Sequence, residues 1–170
     1  ACVGSTGSGK SNSLLEFLHR KNNAFHEIIL FTGSTSDEDL YNLLNDAMDG
    51  EINMIEDIDE LPDLTDYNDC DKGVEKLIIF DDIINLKKKE LEKIKKWFNS
   101  ARKYGFTCLC MAQNWTDLPT QIRRNCHYIW LFKLKDQNQV CQILKTSNHD
   151  NLNLEVLKEM YKVVTRDIGQ

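Results

Sequence analysis

The chain has 170 residues, 41% of them hydrophobic, with 21 Lys and Arg against 27 Asp and Glu for a net charge of −6. That length suits one domain with a substantial core, and the composition is that of an ordinary globular protein. The charge argues against wholesale coating of nucleic acid, and no stretch has the length of a membrane span or the charged-then-apolar order of a signal peptide.

Ala1-Cys2-Val3 reads as a stub of the buried strand, about five residues long, that normally leads into a phosphate-binding loop. Gly4 to Ser11, G-S-T-G-S-G-K-S, then fits the P-loop pattern G-x-x-x-x-G-K-[ST] at every fixed position. Glycines permit backbone angles that a Cβ forbids, so successive N–H groups turn inward around a phosphate. The helix that starts near Lys10 aims its unpaired N–H groups and positive dipole end at the same place. Lys10 is expected to reach the β/γ-phosphates and the Ser11 hydroxyl to ligate Mg²⁺. The expected nucleotide-contacting set is Gly4, Ser5, Thr6, Gly7, Ser8, Gly9, Lys10, Ser11 and Asn12. The pattern implies binding of a nucleoside triphosphate.

Ser11 to Lys21 places Leu14, Leu15, Phe17 and Leu18 at helical spacing, with His19 and His26 as surface residues. Glu27–Thr32 is a short apolar, β-branched run ending at Gly33 and predicts a buried strand. Ser36 with Asp39 resembles a capping box opening a helix whose apolar face is Leu40, Leu43, Leu44 and Met48. Residues 49–73 form an acidic, irregular insertion broken by Pro62; Ile52, Ile55, Ile58, Leu61 and Leu64, spaced by threes, suggest short helical turns. Its dense carboxylates read as hydrated surface rather than a metal site.

Glu75–Asp82 contains four apolar residues and then two carboxylates, a buried strand with Asp81 and Asp82 at its C-terminal end. Downstream of a P-loop this fits a Walker B strand, with Asp81 holding Mg²⁺ and Asp82 orienting or deprotonating the attacking water. Leu86–Ala101 is amphipathic, with Leu91, Ile94, Trp97, Phe98 and Ala101 facing in; Arg102 and Lys103 close it before Gly105, a C-cap candidate. Residues 87–103 are locally basic, which suits either a solvated helix face or a phosphate backbone. Phe106–Ala112 predicts a strand with the polar pair Gln113-Asn114 at its end, and Tyr128–Leu134 a further strand. Helical patterns follow at Gln137–Lys145 and Leu154–Val164. The six cysteines (Cys2, Cys70, Cys108, Cys110, Cys126, Cys141) have no zinc-site spacing and read as free, largely buried thiols, which suits a reducing, intracellular compartment. The stub at the start and an ending at Thr165–Gln170 that is no evident stop read as a chain clipped at both ends. An incomplete strand at the sheet centre then predicts poor stability for these residues by themselves.

Together G-S-T-G-S-G-K-S, I-I-F-D-D, the helix ending A-R-K-Y-G-F, and A-Q-N with D-L-P and I-R-R-N downstream resemble the HerA/FtsK superfamily of DNA-pumping ATPases. The likeness is nearest to the genome-packaging ATPases of nucleocytoplasmic large DNA viruses, poxviruses and virophages, and spans about Ala1 to Leu134. It implies an α/β P-loop NTPase fold, a three-layer sandwich on a mainly parallel sheet of the additional-strand class, with one strand between the P-loop and Walker B strands and a closing strand after Gln170. It further implies ATP and Mg²⁺ as cofactors, and a ring of subunits, typically a hexamer, around double-stranded DNA contacted without regard to sequence. A capsid or portal-vertex protein would be the partner, in host cytoplasm, virus factory or virion. Gln113 would be the polar sensor, and Arg102, with Arg123 and Arg124 as second choices, the finger offered to the neighbouring subunit. Many superfamily members have Glu where this chain has Asp82, one methylene shorter, so the base role needs a closer loop or a bridging water. Two other readings stay open: a small-molecule or nucleotide kinase, since the loop also satisfies the kinase form, and a nucleotide-dependent assembly protein without turnover. The missing Arg-rich lid argues against the first, and intact Lys10, Ser11, Asp81 and Asp82 against the second.

Overall fold

A computed structural model describes residues 1–21, 24–33, 38–47, 52–67, 74–146 and 153–166. In chain order the elements are β1 (Cys2–Val3), α1 (Lys10–Arg20), β2 (Glu27–Thr32), α2 (Glu38–Ala47), β3 (Ile52–Ile55), β4 (Lys76–Asp81), α3 (Lys88–Ser100), β5 (Phe106–Ala112), α4 (Thr120–Asn125), β6 (Trp130–Leu131), α5 (Gln137–Thr146) and α6 (Leu154–Val164). The strands form one sheet in the order β3-β2-β4-β5-β1-β6, and every pairing among the described residues is parallel. One strand, β5, therefore separates the P-loop strand β1 from β4, as the additional-strand class requires.

Strand alternation divides the interior into two layers. On one face Val3, Ile29, Phe31, Ile78, Phe80, Phe106 and Cys110 pack with Ile94 and Trp97 of α3, Ile122 of α4, and Val140 and Ile143 of α5. On the other, Cys2, Ile28, Leu30, Leu77, Ile79 and Met111 pack with Leu14 and Leu18 of α1 and with Tyr41 and Leu44 of α2. A parallel strand covered on both sides has to be apolar at every position, which is why β2 and β4 are continuous hydrophobic runs.

Three expectations change. The segment after Asp49 is not wholly irregular: Ile52–Ile55 forms β3, paired in register Ile28↔Ile52 to Phe31↔Ile55 at the sheet edge. Ile52 and Ile55 both turn inward, while Ile58 and Leu61 fold into the α3-side core. Spacing by threes thus arises from a short strand followed by turns. The carboxylates left outside keep this edge hydrated. The face of α2 is also rotated: Leu43 is 63% exposed, whereas Tyr41 and Leu44 are buried. A tyrosine ring contributes more apolar area than a leucine, and its hydroxyl finds a partner at the end of β4. Finally, the strand expected at Tyr128–Leu134 is paired only over Trp130–Leu131, matching the two residues of its partner β1. Beyond that pairing the segment is held by Tyr161 of α6, whose hydroxyl accepts from Leu134 N–H at 2.7 Å and donates to Phe132 O at 3.1 Å. Ser36 of the expected capping box, Met48, Cys70, residues 68–73 and 167–170 and the side chain of Leu40 lie outside the described residues.

The amphipathic helix runs as expected: Ile94, Trp97 and Ala101 are buried, and the chain turns through Gly105 at φ 77° into β5. Not all of its lysines are idle surface charge. Lys93 donates to Ile58 O at 3.0 Å, fastening α3 to the segment after β3, and Lys95 pairs with Glu92 at 2.7 Å. Lys88, Lys89, Lys96, Arg102 and Lys103 stay exposed. No helix among the described residues is long and apolar enough to cross a membrane.

The α2 register has a direct check in urea unfolding: Leu43→Gln should shift stability by no more than about 0.5 kcal/mol, and Leu44→Ala should cost about 2–5 kcal/mol. Burial pushes the Cys2 thiol up to about 12 and raises that of Cys110 above the ordinary thiol range. Such thiols stabilise the fold fully below pH 9, and that contribution declines as pH rises from about 9 toward the folded value, because only the unfolded chain gives up the proton there. Each should steepen the loss by about 1.4 kcal/mol per pH unit in that window, read from denaturation midpoints against a Cys2→Ala control.

Candidate nucleotide site

The C-terminal ends of the parallel strands converge on a cavity of ≈ 460 Å³ lined by Thr6, Gly7, Gly9, Lys10, Ser11, Asn12, Asp81, Asp82, Met111, Ala112 and Gln113. Its size is within the range of small-ligand sites, and the open end of an α/β sheet is where such sites form.

One wall is the loop from Gly4 to Gly9. Gly4 N–H donates to Ala112 O at 3.2 Å and Ser5 N–H to Lys133 O at 3.0 Å, so the loop is anchored to β5 and to the segment after β6. Gly7 and Gly9 hold φ of 75° and 90°, and a Cβ at either would meet nothing within 4 Å. These glycines are required by backbone angle, not by crowding. Gly4 is the opposite case, since a Cβ there would lie 2.4 Å from Phe132 Cβ and 2.6 Å from Ser8 Oγ. Gly4, Ser5 and Ser8 thus shape the loop from behind, and Thr6, Gly7, Gly9, Lys10, Ser11 and Asn12 face the cavity. The Ser8 hydroxyl is buried without a hydrogen-bond partner. Helix α1 begins with no side chain capping its first turn and no acidic residue in it. Its free N–H groups and dipole leave this wall electropositive. The Lys10 ammonium meanwhile donates to Gly4 O at 2.7 Å and Ser5 O at 3.2 Å.

The facing wall is acidic. Asp81 shares its face of β4 with Leu77 and Ile79, the face that α1 and α2 cover. A strand continued in register would send Asp82 to the opposite face. Instead Asp82 adopts φ 49°, ψ 54°, the one non-glycine positive φ among the described residues, and both carboxylates line one cavity. Aspartate tolerates this conformation better than most residues, at a cost of about 1–2 kcal/mol. Gly33 makes room for the bend: a Cβ there would stand 2.2 Å from Asp82 O, and Gly33 N–H donates to Asp81 O at 2.9 Å.

The amides after β5 separate into two tasks. Gln113 accepts at Oε1 from the Thr6 hydroxyl at 3.0 Å, which ties the end of β5 to the loop across the cavity. Asn114 is held elsewhere: its N–H and Nδ2 both donate to Asp117 Oδ2, at 3.0 and 2.9 Å, and its Oδ1 accepts from Gln139 at 3.3 Å. Asn114, Asp117 and Gln139 therefore build the turn that follows Gln113. Asn and Asp three residues apart signal such a turn in the sequence, but nothing there singles out Gln139 or Tyr41, whose hydroxyl donates to Asp81.

None of the arginines lines the cavity. Arg102 is exposed in the 3₁₀ turn at the start of β5, about 20 Å from that strand's cavity end at 3.3 Å per residue. Arg123 lies over the Trp115 ring at 5.8 Å and donates to the Thr120 hydroxyl at 3.1 Å, with its Nε unpartnered, and Arg124 is exposed on α4. Among the residues lining the cavity, Lys10 is the cationic side chain.

A bound polyphosphate with a divalent cation matches this division of charge. Loop and helix N–H groups with Lys10 offer only donors on one side, while Ser11, Asp81 and Asp82 offer hard oxygen ligands to Mg²⁺ or its waters. Because Gly33 backs the Asp82 bend and does not touch the loop, Gly33→Ala should lower kcat for ATP on the order of 10²-fold by displacing Asp82. The nucleotide dissociation constant should change by less than about threefold in the same variant, measured by fluorescence titration.

Comparison with known proteins agrees with this geometry. A family model described as an AAA domain matches residues 1–118. No curated protein sequence matches the chain. Among solved structures, EssC (ATPases 2 and 3) from Geobacillus thermodenitrificans superposes with a TM-score of 0.60 at 14% identity, covering 98% of this chain and 44% of that one. The cytoplasmic domain of EssC gives a TM-score of 0.62 at 14% identity with the same coverage of 98% and 44%. This chain thus spans under half the length of the structures it resembles, and at such identity the likeness is one of fold. The family match covers more than two-thirds of the residues and includes the loop, both β4 carboxylates and Gln113, and the chain belongs to the AAA domain family of P-loop ATPases.

Proposed function

We propose that this protein is an ATP-hydrolysing motor that moves double-stranded DNA, packaging a viral genome into a capsid. The observation that carries the hydrolytic part is the Asp82 bend, which spends backbone strain to bring a second carboxylate into the cavity beside Asp81. The DNA-moving part is supported by the order and spacing of I-I-F-D-D, A-R-K-Y-G-F, A-Q-N and I-R-R-N, and by β5 lying between the P-loop and Walker B strands.

Mg²⁺, when bound, would supply charge neutralisation at the phosphates. The chain's own groups do the rest. Lys10 exchanges its bonds to Gly4 O and Ser5 O for a phosphate oxygen, giving up two neutral acceptors for a charged one. Ser11 and Asp81 would hold the cation, and Asp82 would take a proton from the attacking water, directly or through a second water because Asp is short. Gln113 reads the γ-phosphate, and its bond from Thr6 couples the end of β5 to the loop. An arginine from a neighbouring subunit of a ring, a hexamer in this reading, completes the site. Arg102, exposed on its turn, is the first candidate, with Arg123 and Arg124 as second choices. Contacts to DNA are to phosphate and indifferent to sequence. The setting is intracellular, with a capsid or portal-vertex protein as the docking partner.

Steady-state ATP hydrolysis by the full-length protein tests this reading, with and without long double-stranded DNA. DNA of any sequence should stimulate turnover, less so as salt rises, and Lys10→Ala and Asp82→Asn should each lower the stimulated rate by about 10²–10⁴-fold. DNA-independent phosphate transfer to a nucleotide or metabolite would make the protein a kinase, and binding without turnover would make it an assembly switch.

A further inference from the structure

Helix α2 puts a hydroxyl where the core is otherwise hydrocarbon. Tyr41 is 2% exposed and packs in the cluster of Leu14, Leu18, Leu30 and Ile79 between the sheet and α1. Filling that space needs only the ring; phenylalanine would serve, and an unpaired phenol there would be a cost. The hydroxyl instead reaches the end of β4 and donates to Asp81 Oδ2. Strand alternation brings the two groups to the same side of the sheet. Leu77, Ile79 and Asp81 share one face of β4, and Tyr41 covers that face. The carboxylate is therefore held by a residue 40 positions distant in the chain that does not line the cavity.

We propose that Tyr41 is a positioning residue for the Mg²⁺ ligand Asp81, fixing the carboxylate's orientation through Oδ2 and so setting cation affinity without contacting the nucleotide. The inference rests on the reading of the cavity as a Mg²⁺–ATP site. A carboxylate on a strand end has two χ angles to settle, and a ligand already locked by an outer hydrogen bond loses less freedom when the cation arrives. Removing outer partners of metal ligands typically lowers metal affinity by about 10–100-fold. Ser11, the other expected ligand, is carried by α1 rather than by the end of β4, so the effect is expected on the Asp81 side.

Binding of a fluorescent ATP analogue to the full-length protein, in EDTA and across a MgCl₂ titration, separates the possibilities. Tyr41→Phe should leave the EDTA affinity within about twofold of the parent and raise the Mg²⁺ concentration at half-effect by about tenfold or more. Leu44→Ala, which loosens the same helix without touching Asp81, should leave the Mg²⁺ half-effect within about twofold of the parent. The proposal is overturned if Tyr41→Phe has the parent's Mg²⁺ response, if it weakens binding equally in EDTA and Mg²⁺, or if Leu44→Ala shifts the response as far. A parent protein that binds no ATP under either condition would remove the site reading and Tyr41's role with it. Indifference to DNA would bear on the motor alone.

Discussion

Everything at the site depends on β4 being buried on both faces. Its neighbours β2 and β5 pair with it along its length, from Lys76 to Asp81, so no position inside the strand can be polar without a partner. Ile78 and Phe80 fill one layer and Leu77 and Ile79 the other, and the first carboxylates the strand can carry are at its end. Hydrophobic burial thereby delivers charge to one place. The same ladder carries Gly33 and Ala112, the ends of the flanking strands, to that edge, and through Ala112 O it fixes where the loop begins.

The cavity that results is divided by the sign of its charge. Backbone donors, the dipole of α1 and Lys10 form one wall, and Asp81 and Asp82 the other, joined across the top by the bond from Thr6 to Gln113. Lys10 rests on the carbonyls of its own loop, which keeps a partly buried ammonium satisfied and the loop closed around the space a phosphate takes. Two devices hold the acidic wall in shape. The αL conformation of Asp82, possible only because Gly33 has no side chain, breaks strand alternation; Tyr41 grips Asp81 from the core. Both bring distant parts of the chain to bear on two adjacent residues.

How much of this was legible in the sequence followed the range of the interactions. The P-loop, the Asp81-Asp82 pair, the ends of β2 and β5 and the extent of α6 could be read directly, because each rests on local chemistry: glycine angles, runs buried on both sides, or helical spacing. Where the reading failed, a local pattern had two structural solutions. Isoleucines at intervals of three suit helical turns, yet Ile52–Ile55 forms a strand because the exposed edge of β2 was available to pair. Counting leucines placed Leu43 on the inner face of α2, but the register is set by Tyr41, which satisfies its ring in the core and its hydroxyl at Asp81 together. Asn114 and Gln113 are adjacent and chemically alike. Only the packing of α5, which brings Gln139 to Asn114, assigns one to structure and leaves the other facing the loop.

The sequence by itself determined that a phosphate loop and a carboxylate pair end buried strands in one α/β layer, since glycine geometry and hydrophobic runs are properties of short segments. Tertiary structure alone decided that both carboxylates face one cavity, that a tyrosine from α2 holds one of them, and that a strand forms within the acidic segment. Those outcomes need contacts between residues far apart in the chain. Which of several locally equal choices satisfies all the buried polar groups at once is settled only when the layers close.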